Sequence, residues 1–124
     1  MKLEIHRAKQ KEYILSIQEF AERYDLTMQI NERAKPYPNN NKKYRFYAKF
    51  NHIEILDGNM LKSFYGNGEN PRDAILNYIV EIVGQKAIYK AGSEERKEIQ
   101  IPKQLIYDES FNDKLIFEDL ENEE

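Results

Sequence analysis

Near the start of the chain, Tyr13, Ile14, Ile17, Phe20, Ala21 and Tyr24 recur at three- and four-residue steps, with Glu12, Gln18, Glu19 and Glu22 between them. That spacing predicts an amphipathic helix from about residue 8 to 24. The period then falls to two: Leu26, Met28 and Ile30 alternate with polar residues, as in a half-buried strand. In KPYPNNNKK, residues 35–43, two prolines and three asparagines predict a loop.

YRFYAKFNHIEIL, residues 44–56, has strand character throughout, but its phase changes midway. Phe46, Ala48 and Phe50 share one parity, whereas Ile53 and Ile55 share the other. A β-bulge near Asn51-His52 would shift the phase in this way, and so would two separate strands meeting there. Asp57-Gly58 is a hairpin signal, and MLKSFY is the expected return strand.

FYGNGENPRDAILNYIVEIVG, residues 64–84, predicts the second helix with both of its limits. Asn70 is placed to cap it, Pro71 fits the first helical position, Asp73 complements the positive helix end and Gly84 suits the C-terminal cap. Ala74, Ile75, Tyr78, Ile79, Ile82 and Val83 form its apolar face. KAIYK and KEIQIP then predict two short strands around the AGSEER turn, IPKQLIY a covering segment, and residues 109–124 either a short helix or a frayed tail. The expected fold class is α+β. A helix, a three-stranded antiparallel sheet and a second helix are followed by a small β-hairpin and an acidic tail, with both helices on one sheet face. Residues 1–107 form one domain in this reading and residues 108–124 the tail.

Composition narrows the function classes. A 40% hydrophobic and 12% aromatic content in 124 residues suits one folded domain. With no cysteine there is no disulfide framework, no Cys-based zinc site and no thiol chemistry, so the chain is expected in the cytoplasm. No apolar run approaches the roughly 20 residues of a membrane span. The net charge of −3 is uneven: residues 108–124 carry eight acidic side chains and one Lys, leaving a mildly basic body.

No catalytic, cofactor or metal site is expected. His52 has no orienting carboxylate or nucleophile in a recognisable motif, and the serines lie outside nucleophile-elbow contexts. Gly66-Asn67-Gly68 resembles a phosphate cradle only superficially. Pro71 stands where a dinucleotide motif needs glycine, and no Gly-Lys-Ser/Thr follows. Glu69 would repel an anion and Pro71 removes an amide donor, so these glycines are read as the joint from strand to helix.

Residues 8–84 resemble a double-stranded-RNA-binding domain. The resemblance rests on the order of helix, strands and helix, on Asp57-Gly58, on the Gly66-x-Gly68 exit and on Ala74. It implies RNA contact through the first helix, the first hairpin loop and the start of the second helix. Where that family has a lysine cluster, this chain has Asn70-Pro71-Arg72-Asp73; where it has a Gly-Pro-x-His loop, this chain has Pro36-Tyr37-Pro38-Asn39. The candidate nucleic-acid contacts are Arg7, Lys9, Lys11, Lys35, Lys42, Lys43 and Arg72. Residues 64–102 also resemble small uncharacterised proteins of phages and prophages in Gram-positive bacteria, a context without an activity. The leading expectation is a non-enzymatic accessory module that binds a protein partner through Phe111, Phe117 and Leu120 of the tail. Binding of duplex RNA or DNA by the basic first helix and first hairpin loop is the alternative.

Overall fold

The computed structural model describes residues 1–4, 14–35 and 37–110. The described residues form an α+β fold, with two α-helices and two antiparallel sheets among them. Of the expected first helix, residues 8–13 lie outside the described residues, and the helix (α1) runs from Ile17 to Arg23. Its start is set by Ser16. The backbone there is extended, and the side-chain oxygen accepts the Glu19 amide at 3.0 Å.

Strand β1 (Met28–Glu32) pairs antiparallel with β2 (Phe46–Phe50), with Ile30 opposite Ala48. The segment between them contains two short 3-10 turns, Pro38–Asn40 and Lys42–Tyr44, in place of a featureless loop. Asn39 and Asn40 take positive φ there, a conformation asparagine tolerates better than most residues.

The phase change at Asn51-His52 is a change of sheet. His52 takes φ +63°, and β3 (Ile53–Asp57) leaves β2 to enter a second sheet. The hairpin at Asp57-Gly58 forms as expected, with Asp57 opposite Met60 in β4 (Met60–Lys62). The third strand beside β2 is β5 (Gly66–Gly68), formed by the glycines read from sequence as a joint. Where one sheet is expected there are thus two: β1-β2-β5, and β4-β3-β6-β7 with β6 (Lys86–Tyr89) and β7 (Lys97–Gln100). The expected C-terminal hairpin is the continuation of this second sheet, with β6 paired to β3.

Helix α2 (Pro71–Ile82) begins and ends as its sequence indicates. The side chain of Asn70 accepts the Asp73 amide at 2.9 Å, and Gly84 takes φ +77° past the end. Its buried face packs on β2 and β5. Phe20, Phe50, Ile55, Tyr78, Ile82, Ile88 and Ile101 are the largest fully buried apolar side chains. Tyr78 meets Phe50 edge-on with ring centroids 5.6 Å apart.

The covering segment after β7 buries Ile101, Leu105 and Tyr107. It also reaches the start of α1, where Ile17 N–H donates to Ile106 O at 2.7 Å and Ile106 N–H to Leu15 O at 3.2 Å. Gln18 exchanges side-chain hydrogen bonds with the Asp108 backbone at 3.1 and 3.3 Å. Asp108, the first residue of the acidic run, is thus hydrogen-bonded to α1.

Candidate functional site

Antiparallel sheets can pack on one face and meet water on the other. Sheet β1-β2-β5 does so, and its two faces differ sharply in chemistry. Ile30, Phe46, Ala48, Phe50, Gly66 and Gly68 are buried on the inner face. The intervening positions bring Asn31, Tyr47 and Asn67 into one row across the three strands, with Gln29 opposite Lys49 in the next row. Arg33 follows β1 on the same parity, and Tyr65 immediately precedes β5.

These side chains form a cluster. The Arg33 guanidinium lies 4.6 Å from the Tyr47 ring centroid and 5.7 Å from that of Tyr65, within cation–π range of both. Its Nη1 donates to Tyr44 O at 2.6 Å, and its backbone N–H donates to Arg45 O at 2.8 Å. Tyr47 and Tyr65 meet edge-on with centroids 5.8 Å apart. Tyr65 is 47% exposed and Tyr44 37%. On either side of Tyr47, Asn31 Nδ2 and Asn67 Oδ1 are buried without a hydrogen-bond partner. The backbone oxygen of Asn67 is occupied, accepting from Asn77 Nδ2.

The surrounding charge is one-sided. Between Leu26 and Lys49 stand six basic residues (Arg33, Lys35, Lys42, Lys43, Arg45 and Lys49) against Glu32 alone, in a chain whose net charge is −3. Arg45 pairs with Glu32 at 2.9 Å and lies 5.1 Å from the Phe46 ring. Among the described residues, Lys35, Lys42, Lys43 and Lys49 have no carboxylate within ion-pair distance. Lys35, Lys42 and Lys43, three of the sequence-predicted contacts, are exposed on the β1–β2 connection, whose Lys42–Tyr44 turn lies against β5.

The other predicted residues do not join them. Arg7, Lys9 and Lys11 lie outside the described residues, as do Phe111, Phe117 and Leu120. Arg72 is held at the start of α2 by a bidentate ion pair with Glu109, its Nε donating at 3.0 and 3.1 Å, and its guanidinium lies 5.9 Å from the Tyr107 ring centroid. The hydrogen bond and charge of Glu109 raise the Arg72 pKa, and Arg72 holds the Glu109 carboxyl below its usual range. The Asp108 carboxyl is lowered by hydrogen bonds from Ser110. Arg72 thus serves the strap joining α2 to the C-terminal segment.

His52 is exposed at the corner between the two sheets, edge-on to Tyr89 at 6.3 Å. Among the described residues, no group of three or more His, Cys, Asp or Glu side chains is placed to hold a metal ion. No described helix is long and apolar enough to cross a membrane.

Sequence reading missed Arg33, Tyr47, Tyr65, Asn31 and Asn67. Two signals were present: the balance of +5 confined to residues 26–49, and the polar parity of β2, which carries Tyr47 and Lys49 outward. Comparison with family models, curated proteins and solved structures finds no match to this chain.

Proposed function

We propose that this protein acts by binding nucleic acid, through the outer face of β1-β2-β5 and the basic β1–β2 connection. The observation that carries the reading is the gathering of Lys35, Lys42, Lys43, Lys49 and the Arg33–Tyr47–Tyr65 cluster at one sheet. Lysines without acidic partners attract a polyanion and release its counterions, while solvent-facing aromatic rings are not needed for this fold's core. The order α1, β1, β2, β5, α2 resembles that of a double-stranded-RNA-binding domain, with the β3–β4 hairpin interposed. Of the contact regions that resemblance implies, the start of α2 is engaged by the Arg72–Glu109 pair. Among the described residues, the lysines of the β1–β2 connection meet no carboxylate at ion-pair distance. Capture of a protein by Phe111, Phe117 and Leu120 has no supporting observation among the described residues.

Fluorescence anisotropy with labelled RNA and DNA 20-mers, single-stranded and duplex, tests the reading from 50 to 200 mM salt. Four phosphate contacts predict a log–log salt slope of about −3 on single strands and about −4 on duplex. Lys42→Glu with Lys43→Glu should weaken binding at least tenfold and flatten that slope, whereas Lys62→Glu with Lys86→Glu in the second sheet should change little. Absence of binding at 50 mM salt, or equal losses from both variant pairs, would refute it.

A further inference from the structure

We propose, building on that nucleic-acid reading, that the face takes a single strand. One base stacks at Tyr65 beside the Arg33–Tyr47 pair, and lysines of the β1–β2 connection follow the phosphates.

A duplex offers a protein its phosphates and groove edges and hides the faces of its bases. Rings that face solvent gain a stacking partner only from an unpaired base. Here the exposed ring is Tyr65, nearly half of whose surface is open to solvent. It stands edge-on to Tyr47 at 5.8 Å, with the Arg33 guanidinium 5.7 Å away. The planar guanidinium is itself a stacking surface, and its bond to Tyr44 O keeps it over the cluster.

A second observation, independent of the rings, points the same way. Asn31 Nδ2 is a donor and Asn67 Oδ1 an acceptor; both are buried, both lack a partner, and they flank Tyr47 in one cross-strand row. Buried polar groups are nearly always satisfied, so two orphans of opposite sense in one row mark a face that is incomplete without its ligand. A base edge carries both donors and acceptors. Such an edge supplies the kind of partner that each amide lacks.

The test uses the full chain with labelled dT15, rU15 and a 15-base-pair duplex, with circular dichroism and thermal melting confirming that each variant is folded. Either single-stranded probe should bind at least tenfold more tightly than the duplex. Tyr65→Ala should weaken single-strand binding at least fivefold, from the loss of one stacked base, without changing the salt slope. Tyr65→Phe, which keeps the ring, should restore it. Tyr65→Trp would install the chain's only tryptophan, and its emission should be quenched as the oligonucleotide is added. Duplex binding as tight as single-strand binding, or an unaffected Tyr65→Ala variant, would overturn the single-strand inference while leaving phosphate binding intact. No binding of any probe would overturn both readings.

Discussion

Gly66→Ala is a demanding test of how the two halves of the core meet. Neither Gly66 nor Gly68 has a positive φ, so turning the chain does not explain them. Their requirement is space. A Cβ on Gly66 would lie 2.7 Å from Tyr78 Cα, and closer still to Tyr78 N and Ala74 O; one on Gly68 would lie 2.7 Å from the Asp73 carbonyl carbon. These atoms are helix backbone and cannot rotate aside, so α2 must retreat by about 1 Å to restore ordinary contact. Such a gap forfeits a quarter to a half of the dispersion well across the interface. Ile75, Tyr78, Ile79 and Ile82 are buried there. At about 2 kcal/mol of burial each, the loss is roughly 2–4 kcal/mol.

The control is Gly58→Ala. That glycine has φ +62° and nothing within 4 Å, so alanine should cost only about 1–2 kcal/mol of left-handed backbone strain. Urea unfolding followed by circular dichroism gives both values from the midpoints at constant m. A Gly66→Ala loss no larger than that of Gly58→Ala would show that α2 does not rest on β5 as closely as described.

Two further perturbations probe the same body. Burial pushes the Tyr78 phenol up to about 12, partly offset by a backbone hydrogen bond from Phe50. The folded chain therefore keeps this proton while the unfolded chain, near pKa 10, gives it up. Stability should be fully present below pH 10 and fall by roughly 2–3 kcal/mol as pH rises towards 12. Urea midpoints at pH 9 and 11.5 should converge in Tyr78→Phe relative to wild type, and parallel losses in the two proteins would contradict the assignment. Ser16→Ala removes the hydroxyl that caps the Glu19 amide, and should cost about 1 kcal/mol by the same unfolding assay. An unchanged midpoint would mean that the Ile106 pairing alone holds the start of α1.

Elements with strong local signals were legible in the chain. Asp57-Gly58 located the β3–β4 turn, and Asn70, Pro71 and Gly84 bounded α2, because caps and tight turns are decided within a few residues. The parity change at Asn51-His52 was visible, but its two explanations differ only in which partners the strands find later. Strand β5 was illegible for a deeper reason. A strand is recognised by alternating side chains, and Gly66-Asn67-Gly68 has almost none, since the helix backbone occupies their place. The start of α1 was read too early because the apolar spacing continues through Tyr13 and Ile14, while Leu15 and Ser16 are engaged by Ile106, ninety residues away in sequence. In the site, the lysines of the β1–β2 connection were recognisable by charge alone. Arg33, Tyr47 and Tyr65 come from three segments, and only strand register shows that they meet.

The sheet change at His52 links the fold to that site. Had β3 continued from β2 in one sheet, β4 would have been the third strand of that sheet. Tyr65 would then have been left in the connection to α2. Because β3 departs into the second sheet, the edge of β2 is open to β5, and pairing of Tyr47 with Asn67 sets the register. That register brings Tyr65 to the ring of Tyr47, while the glycines of β5 let Ala74 and Tyr78 close the opposite face. Strand β5 thus packs one face of the sheet against α2, and its register brings the preceding Tyr65 to the aromatic cluster on the other. By admitting the helix on one face, the glycine motif fixes Tyr65 beside Tyr47 on the other.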